Sequence, residues 1–452
     1  MPDETPLRLA LQAVEMAAGA GAEQCDVLCH GYTETSAAVR LGKVEKLIEA
    51  GSRALGLRVI NEGRTAVCST SDFDEDSFRQ FVHDTVELAN ISAPDEHAGL
   101  PDGAAMGAAR ADGLGLFDEA IPSMTVEQRV EMAMACESAA MDADSRISNS
   151  DGATVSTRFG EVAIANSRGF AGAYPATSVD VAVEVMADDL EGKKRNAYWY
   201  SAERSLHRLL DPAEVGRIAA RRAVDQIGAV KVGTTRVPVV FEPMMAAALA
   251  RDVAGCATGS ALYRGSTFLA GRIGEAIASN LFTLTDDPTV PGGLGTRPFD
   301  GEGVRSKGNV IFKSGVFGGF LFDSYTGRRT GNTTTGSAQR SVASLPAPGA
   351  SSLVLAIGDR EPADIIGDVS EGFYLTTLMG FGFNPTTGDY SRGAAGFWIQ
   401  NGSLAFPVSE VNISGNMAEM LSNIDAVGND AMTFGATTAP TVRISNMTVS
   451  GT

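Results

Sequence analysis

The spacing of apolar residues changes along this 452-residue chain, and the change predicts two kinds of architecture. In the first half, segments with apolar residues at helical spacing lie between short runs in which apolar and polar residues alternate. Helical spacing puts apolar side chains on one face of a helix, and alternation puts them on one side of a strand. The predicted helices are residues 7–20, 77–90, 125–142 and 211–227.

Five alternating runs after the first helix predict an antiparallel meander, because turn-forming residues separate them, notably at Gly51-Ser52 and Asn61-Glu62-Gly63. These runs are residues 25–32, 36–41, 43–49, 54–60 and 65–68, and longer runs follow at 152–156, 161–166 and 177–186. Residues 91–117 are rich in Gly, Ala and Asp, and they predict an extended linker over the surface.

From Thr235 onward Gly, Ser, Thr and β-branched residues dominate. Strands are predicted at residues 309–313, 316–322, 353–357, 372–378, 396–399, 403–408, 411–414 and 441–447. Asn401-Gly402 between two of them is a strong signal for a two-residue hairpin. We therefore predict an α+β fold of two domains, an N-terminal α/β domain with an antiparallel sheet and helices at 1–233 and a C-terminal β-rich domain at 234–452.

One segment of the second half joins a strand to a helix without a loop. The β-branched run 237–241 ends at Glu242-Pro243, and an Ala-, Met- and Leu-rich run leads from there to Cys256. Proline suits the first position of a helix, because its missing N–H would have no partner there. Such a junction holds one side chain rigidly at the rim of a sheet, which makes Glu242 a candidate for chemistry.

Composition and charge restrict the classes of partner. The chain has 44% apolar residues and a net charge of −19, so it would repel phosphate backbones and anionic membrane surfaces. Five cysteines in so long a chain do not indicate a disulfide scaffold. The first residues lack the pattern of a signal peptide, and no uncharged apolar stretch is long enough to span a bilayer. We therefore expect a cytoplasmic protein without nucleic-acid or membrane partners.

The histidines exclude the usual zinc motifs. Only His30, His83, His97 and His207 are present, and none of them forms a His-Glu-x-x-His pair. The Cys25–Cys29–His30 string is not a metal site, because two cysteines four residues apart on a strand are separated by about 13 Å. Cys256 near the end of an apolar helix is interpreted as a packed thiol.

Two further features leave alternatives open. Acidic residues lie close together at Asp286/Asp287, Asp300/Glu302 and Asp359/Glu361/Asp364. Such groups are either functional carboxylate pairs or chance neighbours in the loops of an acidic protein. The segment 388–398 carries Tyr390, Arg392 and Trp398 among small residues. It is either a tight hairpin with an aromatic anchor or a groove wall that receives an extended peptide by strand addition.

Strings over nearly the whole chain, taken together, resemble the TldD/PmbA family. They include residues 266–274, 299–304, 371–376, 387–402, 407–408, 415–416 and 427–430, and Gly388-Asp-Tyr-Ser-Arg-Gly-Ala394 resembles the PmbA branch, also called TldE. The resemblance implies a two-domain fold and a cytosolic metallopeptidase assembly that acts on unstructured peptides. In the TldD branch, a His-Glu-x-x-x-His helix supplies two zinc ligands and a glutamate base, and a cysteine near the C-terminus completes the metal site.

Neither half of that zinc site is present. The corresponding junction is Phe241-Glu-Pro-Met-Met-Ala-Ala-Ala248, and no cysteine follows Asp430. We therefore assign no catalytic and no metal-binding residue, expect no cofactor on this chain, and name Tyr390, Arg392 and Trp398 as peptide-binding candidates. The leading hypothesis is a PmbA/TldE-type subunit that shapes the peptide groove beside a zinc-bearing TldD-type partner. The alternatives are a stand-alone homodimeric peptide-binding or regulatory protein and an unrelated hydrolase that uses Ser, Thr or a carboxylate pair.

Overall fold

The computed structural model describes residues 5–106 and 112–451, and its first half is built on a six-stranded antiparallel sheet. The strands are β1 (Gln24–Arg40), β2 (Lys43–Asn61), β3 (Arg64–Thr70), β4 (Ile147–Asn166), β5 (Ala171–Asp188) and β6 (Lys194–Glu203). Their order across the sheet is β3-β2-β1-β4-β5-β6. Strand β6 is therefore an edge strand, paired with β5 alone among the strands of the described ranges.

Four helices cover one face of this sheet, and the second half of the chain contacts the other face. The helices are α1 (Pro6–Gly19), α2 (Glu75–Ile91), α3 (Val126–Asp142) and α4 (Pro212–Val224). Alternation along β1 decides which side chain faces which layer. Val27 packs with α1 and α2, whereas Leu28 packs with Phe299 of the second half.

The second half contains two larger sheets and a two-stranded ribbon. Its strands are β7 (Thr235–Phe241), β8 (Leu284–Asp286), β9 (Asn309–Lys313), β10 (Val316–Phe317), β11 (Ala338–Gln339), β12 (Ala347–Pro348), β13 (Leu353–Leu355), β14 (Glu371–Met379), β15 (Asp389–Gln400), β16 (Ser403–Asn416), β17 (Ile424–Val427), β18 (Met432–Phe434), β19 (Thr437–Ala439) and β20 (Val442–Ser450). Its helices are α5 (Pro243–Cys256), α6 (Gly259–Tyr263), α7 (Ser324–Arg329), α8 (Pro362–Gly367) and α9 (Met417–Ser422).

Helix α5 is the centre of this half. One sheet has the order β16-β15-β14-β7-β20-β17 and closes on itself through a β16–β20 pairing, and the other has the order β10-β9-β8-β13-β19-β18. Helix α5 contacts β7 and β14 of the first sheet and β13, β18 and β19 of the second. Ten of its 14 residues are buried, and the face that is not buried carries Arg251 and Asp252.

A buried ion network joins the two halves. Asp26 on β1 accepts hydrogen bonds from Arg58 on β2 and, at 2.7 Å, from Nη1 of Arg340. Arg58 also lies 3.3 Å from Glu302, whose other oxygen accepts a hydrogen bond from the backbone N–H of Ser324. The side chains of Asp26, Glu302 and Arg340 are fully buried, so each charge depends on these partners.

The predicted α+β fold class is confirmed, and the four predicted N-terminal helices correspond to α1–α4. The predicted turn at Gly51-Ser52 is wrong, because residues 43–49 and 54–60 belong to one strand, β2. Gly51 lies in the ladder opposite Thr33, so pairing with the long strand β1 overrides the local turn preference. Likewise, residues 25–32 and 36–40 belong to the single strand β1, which ends one residue before the predicted run does.

The tight-hairpin interpretation of residues 388–398 applies only to the start of the segment, where Tyr390 pairs with Phe383 across a turn. Residues 389–398 lie within β15, which pairs with β14 on one side and β16 on the other. The hairpin predicted at Asn401-Gly402 is confirmed: it joins β15 to β16 with φ angles of 50° and 77°.

Residues 107–111 of the predicted linker at 91–117 lie outside the described residues. The division into domains at residues 233 and 234 stays a prediction. Across the described ranges, every helix is too short or too polar to cross a membrane.

Replacing Asp26 with alanine is expected to lower the free energy of unfolding by about 3–5 kcal/mol, because Arg340 would lose its carboxylate partner in a buried site. Urea unfolding measures this change. Glu75→Gln, which breaks an exposed ion pair with Arg79, is the control and should cost no more than about 1 kcal/mol. Equal losses of unfolding free energy in the two variants would contradict a stabilising role for the buried Asp26–Arg340 pair.

The same variant should change the pH dependence of stability. Burial acts to raise the pKa of Asp26, but Arg340 and Arg58 outweigh it and hold the pKa below its usual value. A lowered folded-state pKa gives stability that is complete above the unfolded-state pKa of about 4 and is lost as the pH falls below it. Asp26→Ala should therefore lose less stability than the wild type on acidification.

Candidate functional site

The strand-to-helix junction forms as the sequence indicates. Strand β7 lies between β14, to which it is parallel, and β20, to which it is antiparallel, and it ends at Phe241. Glu242 is the N-cap of α5, Pro243 occupies the first turn, and the Glu242 N–H donates to the Leu375 carbonyl at 3.2 Å. The sheet therefore fixes the backbone from which the Glu242 side chain extends.

The Glu242 carboxylate forms a bidentate ion pair with Arg222 of α4. Nη1 and Nη2 of Arg222 donate to Oε2 and Oε1 at 2.9 and 2.7 Å. Nη2 also donates to the Thr376 carbonyl of β14 at 2.9 Å, and the guanidinium carbon lies 4.9 Å from the centre of the Trp199 ring. One arginine thus connects α4, the junction and β14.

Electrostatics at the junction favour a structural role for this carboxylate. Burial raises the pKa of Glu242, and the hydrogen bonds and charge of Arg222 oppose that rise. Burial also raises the pKa of Tyr374. Arg222 engages one lone pair on each Glu242 oxygen, so the ion pair fixes the orientation of the carboxylate.

The donor set around the junction does not fit a zinc ion. Zinc sites in proteins use thiolates, imidazoles and carboxylates, and residues 243–248 after Glu242 contain only Pro, Met and Ala. Neither His nor Cys lines the adjoining groove in the described part of the chain. Within residues 5–106 and 112–451, the only cluster with metal-ligand spacing is His83, Asp84 and Glu87, exposed on α2.

A groove of about 890 Å³ opens beside the junction. Its apolar lining includes Met244 and Met245 from α5, Phe397 from β15 and Phe406 from β16. Charged side chains of both signs, Lys194, Arg195, Arg221, Asp225 and Glu410, also line it. An apolar surface with a few charged groups is typical of ligand sites of this size.

The edge strand β6 borders this groove. Five consecutive residues, 194–198, line it, although successive side chains on a strand point to opposite faces. The groove therefore runs along the edge of β6. One backbone carbonyl of this stretch, that of Asn196, accepts a hydrogen bond from the Gln226 side chain at 3.2 Å. An edge without a partner strand can accept an added strand from a peptide.

Two of the three candidate peptide-binding residues are buried. Tyr390 is 1% exposed and Trp398 is 4% exposed, and both belong to the core. Arg392 is half-buried, and its Nη1 lies 3.6 Å from Asp252. The peptide-binding role of Tyr390, Arg392 and Trp398 stays a prediction.

Sequence reasoning missed Tyr198, Met244 and Phe397 as groove residues. Phe397 had a signal, because it neighbours Trp398 on a strand and must face the other side of the sheet. Tyr198 had none, because its neighbours in the groove lie far away in the sequence.

The other sequence candidates are structural. Cys25 and Cys29 are buried strand residues, and burial raises the pKa of each thiol to about 12. Cys256 is a packed thiol whose pKa burial likewise raises to about 12. Asp286 accepts hydrogen bonds from the N–H groups of Ser351 and Ser352, so it holds a loop.

Comparisons with known proteins cover the whole fold. Residues 25–89, 119–227 and 234–451 match the models for domain 1, the central domain and the C-terminal domain of the PmbA/TldA metallopeptidases. Metalloprotease PmbA from Escherichia coli O157:H7 is 32% identical over 439 residues, which cover 97% of this chain and 94% of that protein.

Solved structures agree with this match. A putative modulator of DNA gyrase from Bacteroides thetaiotaomicron VPI-5482 is 28% identical, with a TM-score of 0.92 over 98% of both chains. TldE from Thermococcus kodakarensis, at 22% identity, has the same fold, with a TM-score of 0.88 over 98% of this chain and 100% of its own. The chain therefore belongs to the PmbA/TldD family of metallopeptidase-related proteins.

Proposed function

We propose that this chain is the non-catalytic, PmbA/TldE-type subunit of a cytosolic peptidase complex that acts on unfolded peptides. The observation that carries the proposal is the Arg222–Glu242 pair. The one carboxylate at the junction is engaged on both oxygens, and residues 243–248, which follow it, offer no thiolate, imidazole or carboxylate. The zinc of the complex is held by a TldD-type partner, and this chain contributes peptide-binding surface.

The groove beside the junction is the surface that we assign to the peptide. An unfolded peptide presents a regular row of backbone donors and acceptors, and the edge of β6 offers the complementary row. Met244, Met245 and Phe406 provide apolar contact for alternate side chains of such a strand. Methionine suits varied sequences, because its flexible thioether adapts to different partners.

The partner is assigned to the exposed end of the β1–β2 hairpin. Strand β3 pairs with β2 only at residues 55–61, so the side of residues 43–51 that faces away from β1 has no neighbouring strand in the described structure. Val44, Leu47 and Ile48 on this edge are exposed. Such an edge pairs readily with another strand, and a paralogous subunit would present an equivalent hairpin about a pseudo-twofold axis.

Measurements of zinc content and peptide cleavage test whether the partner holds the zinc while this chain only binds peptide. The purified chain alone should hold no stoichiometric zinc and cleave no unfolded peptide. A mixture with a TldD-type chain should form one complex by light scattering, with zinc and activity both present. Stoichiometric zinc together with robust cleavage by this chain alone would contradict the proposal.

The hairpin variant Leu47→Asp/Ile48→Asp should abolish the association, because it places charges on the pairing edge. Ile91→Asp, at an exposed position on α2, is the matched control and should associate normally. If the wild type forms only a homodimer and ignores every TldD-type chain, the stand-alone regulatory alternative is correct instead.

Tyr198→Ala should weaken the binding of a labelled unfolded peptide to the complex by roughly tenfold, because it removes an aromatic contact at the edge of β6. Tyr198 is 52% exposed, so the fold should tolerate the change. Fluorescence anisotropy measures the affinity, and Ile91→Ala is the control. If Arg392→Gln weakens binding and Tyr198→Ala does not, the peptide binds at the residues that the sequence indicated.

A further inference from the structure

A second cavity lies on the opposite side of the N-terminal sheet from α1–α4. Its volume is about 500 Å³, and it shares no lining residue with the groove beside the junction. Even-numbered residues of β1 form one wall, including Leu28 and His30, and residues 294–301 and 339–340 of the second half form another. The proposed peptidase role makes no use of this cavity.

Positive charge predominates in the cavity. Four arginines line it, Arg158, Arg204, Arg297 and Arg340, and its two acidic residues are Glu161 and Asp300. Asp300 accepts hydrogen bonds from three backbone N–H groups, and burial and the neighbouring Glu302 raise its pKa to about 7. At neutral pH, Asp300 therefore offsets only part of the arginine charge.

Two of these arginines have donors without acceptors. Nη1 of Arg340 is bound to Asp26, but its Nε and Nη2 are buried without a hydrogen-bond partner among the described residues. Nη1 of Arg297 donates to Gln339 at 3.2 Å, and its Nε and Nη2 are likewise buried and unpartnered there. The Arg340 side chain has no exposed surface, so its unpartnered donors lie in the protein interior.

Buried guanidinium donors without acceptors are costly, and proteins normally pair them. Arg204 shows the ordinary solution, because its nitrogens donate to the carbonyls of Gly293, Leu294 and Thr296. In the described structure, no carbonyl accepts a hydrogen bond from Nε or Nη2 of Arg297 or Arg340. The Nε and Nη2 of an arginine form the fork that binds carboxylate or phosphate oxygens in pairs.

The remaining lining suits an organic ligand. Tyr174 and Phe299 provide an aromatic wall, with their ring centres 5.3 Å apart. Arg158 lies over the Tyr32 ring, 3.4 Å from its centre, and is exposed to solvent. Oε1 of Glu161 is buried and unpartnered among the described residues, so a hydroxyl or ammonium on the ligand would find an acceptor there.

We infer that this cavity binds a small organic anion whose carboxylate or phosphate group pairs with the guanidinium groups of its lining, those of Arg158, Arg297 and Arg340. The site is separate from the peptide groove, and its occupation would link the N-terminal sheet to the loops of the second half.

Isothermal titration of the full-length chain with succinate and with inorganic phosphate tests the inference. The wild type should bind one equivalent of at least one probe, and whichever binds identifies the ligand as a carboxylate or a phosphate. Arg297→Gln should weaken that binding tenfold or more, because it removes a charge-assisted hydrogen-bond pair. Arg79→Gln makes the same charge change on exposed α2 and should leave binding unaltered.

Arg158→Gln provides an independent variant, because this exposed residue is replaced without disturbing the buried network. It should weaken binding severalfold, and it decides the matter if Arg297→Gln fails to fold. An absence of saturable binding of both probes to the wild type would overturn the inference. Equal binding by wild type, Arg158→Gln and Arg297→Gln would overturn it as well and would indicate an adventitious ion only.

Discussion

The bidentate pair between Arg222 and Glu242 is the interaction on which the functional interpretation depends. It is largely buried, it joins α4 to the start of α5, and the same guanidinium holds β14 through the Thr376 carbonyl. Removing one partner of such a pair leaves an uncompensated buried charge, whereas keeping both leaves the junction rigid. The pair therefore positions α4, the junction and β14 relative to one another, and Arg222 engages both oxygens of the carboxylate.

The composition of α5 determines the surface beside the junction. Helix α5 fills the space between two sheets with Ala, Met and Leu, so its N-terminal end can offer apolar contact but few polar groups. The edge of β6 and the side chains of Phe397 and Phe406 complete a groove there, while the arginine-lined cavity lies on another side of the same sheet. Both surfaces offer the apolar and charged contacts that binding sites use.

The sequence predicts those features of the fold that depend on interactions between residues close together in the chain. Thr125 and Asp211 cap helices where the sequence places them, Pro243 begins α5, and Asn401-Gly402 makes its hairpin, because each preference acts within a few residues. Gly51 does not end a strand, because partners far away in the sequence pair with its backbone. The groove and the pairing of Arg222 with Glu242 depend on contacts across 20 or more residues, which no local pattern contains.

The most direct measurement is anomalous diffraction at the zinc edge from crystals of this chain in complex with a TldD-type partner and an unfolded peptide. We expect a zinc peak in the partner alone, an intact Arg222–Glu242 pair in this chain, and peptide along the edge of β6. A zinc peak coordinated by Glu242, with Arg222 displaced, would contradict it.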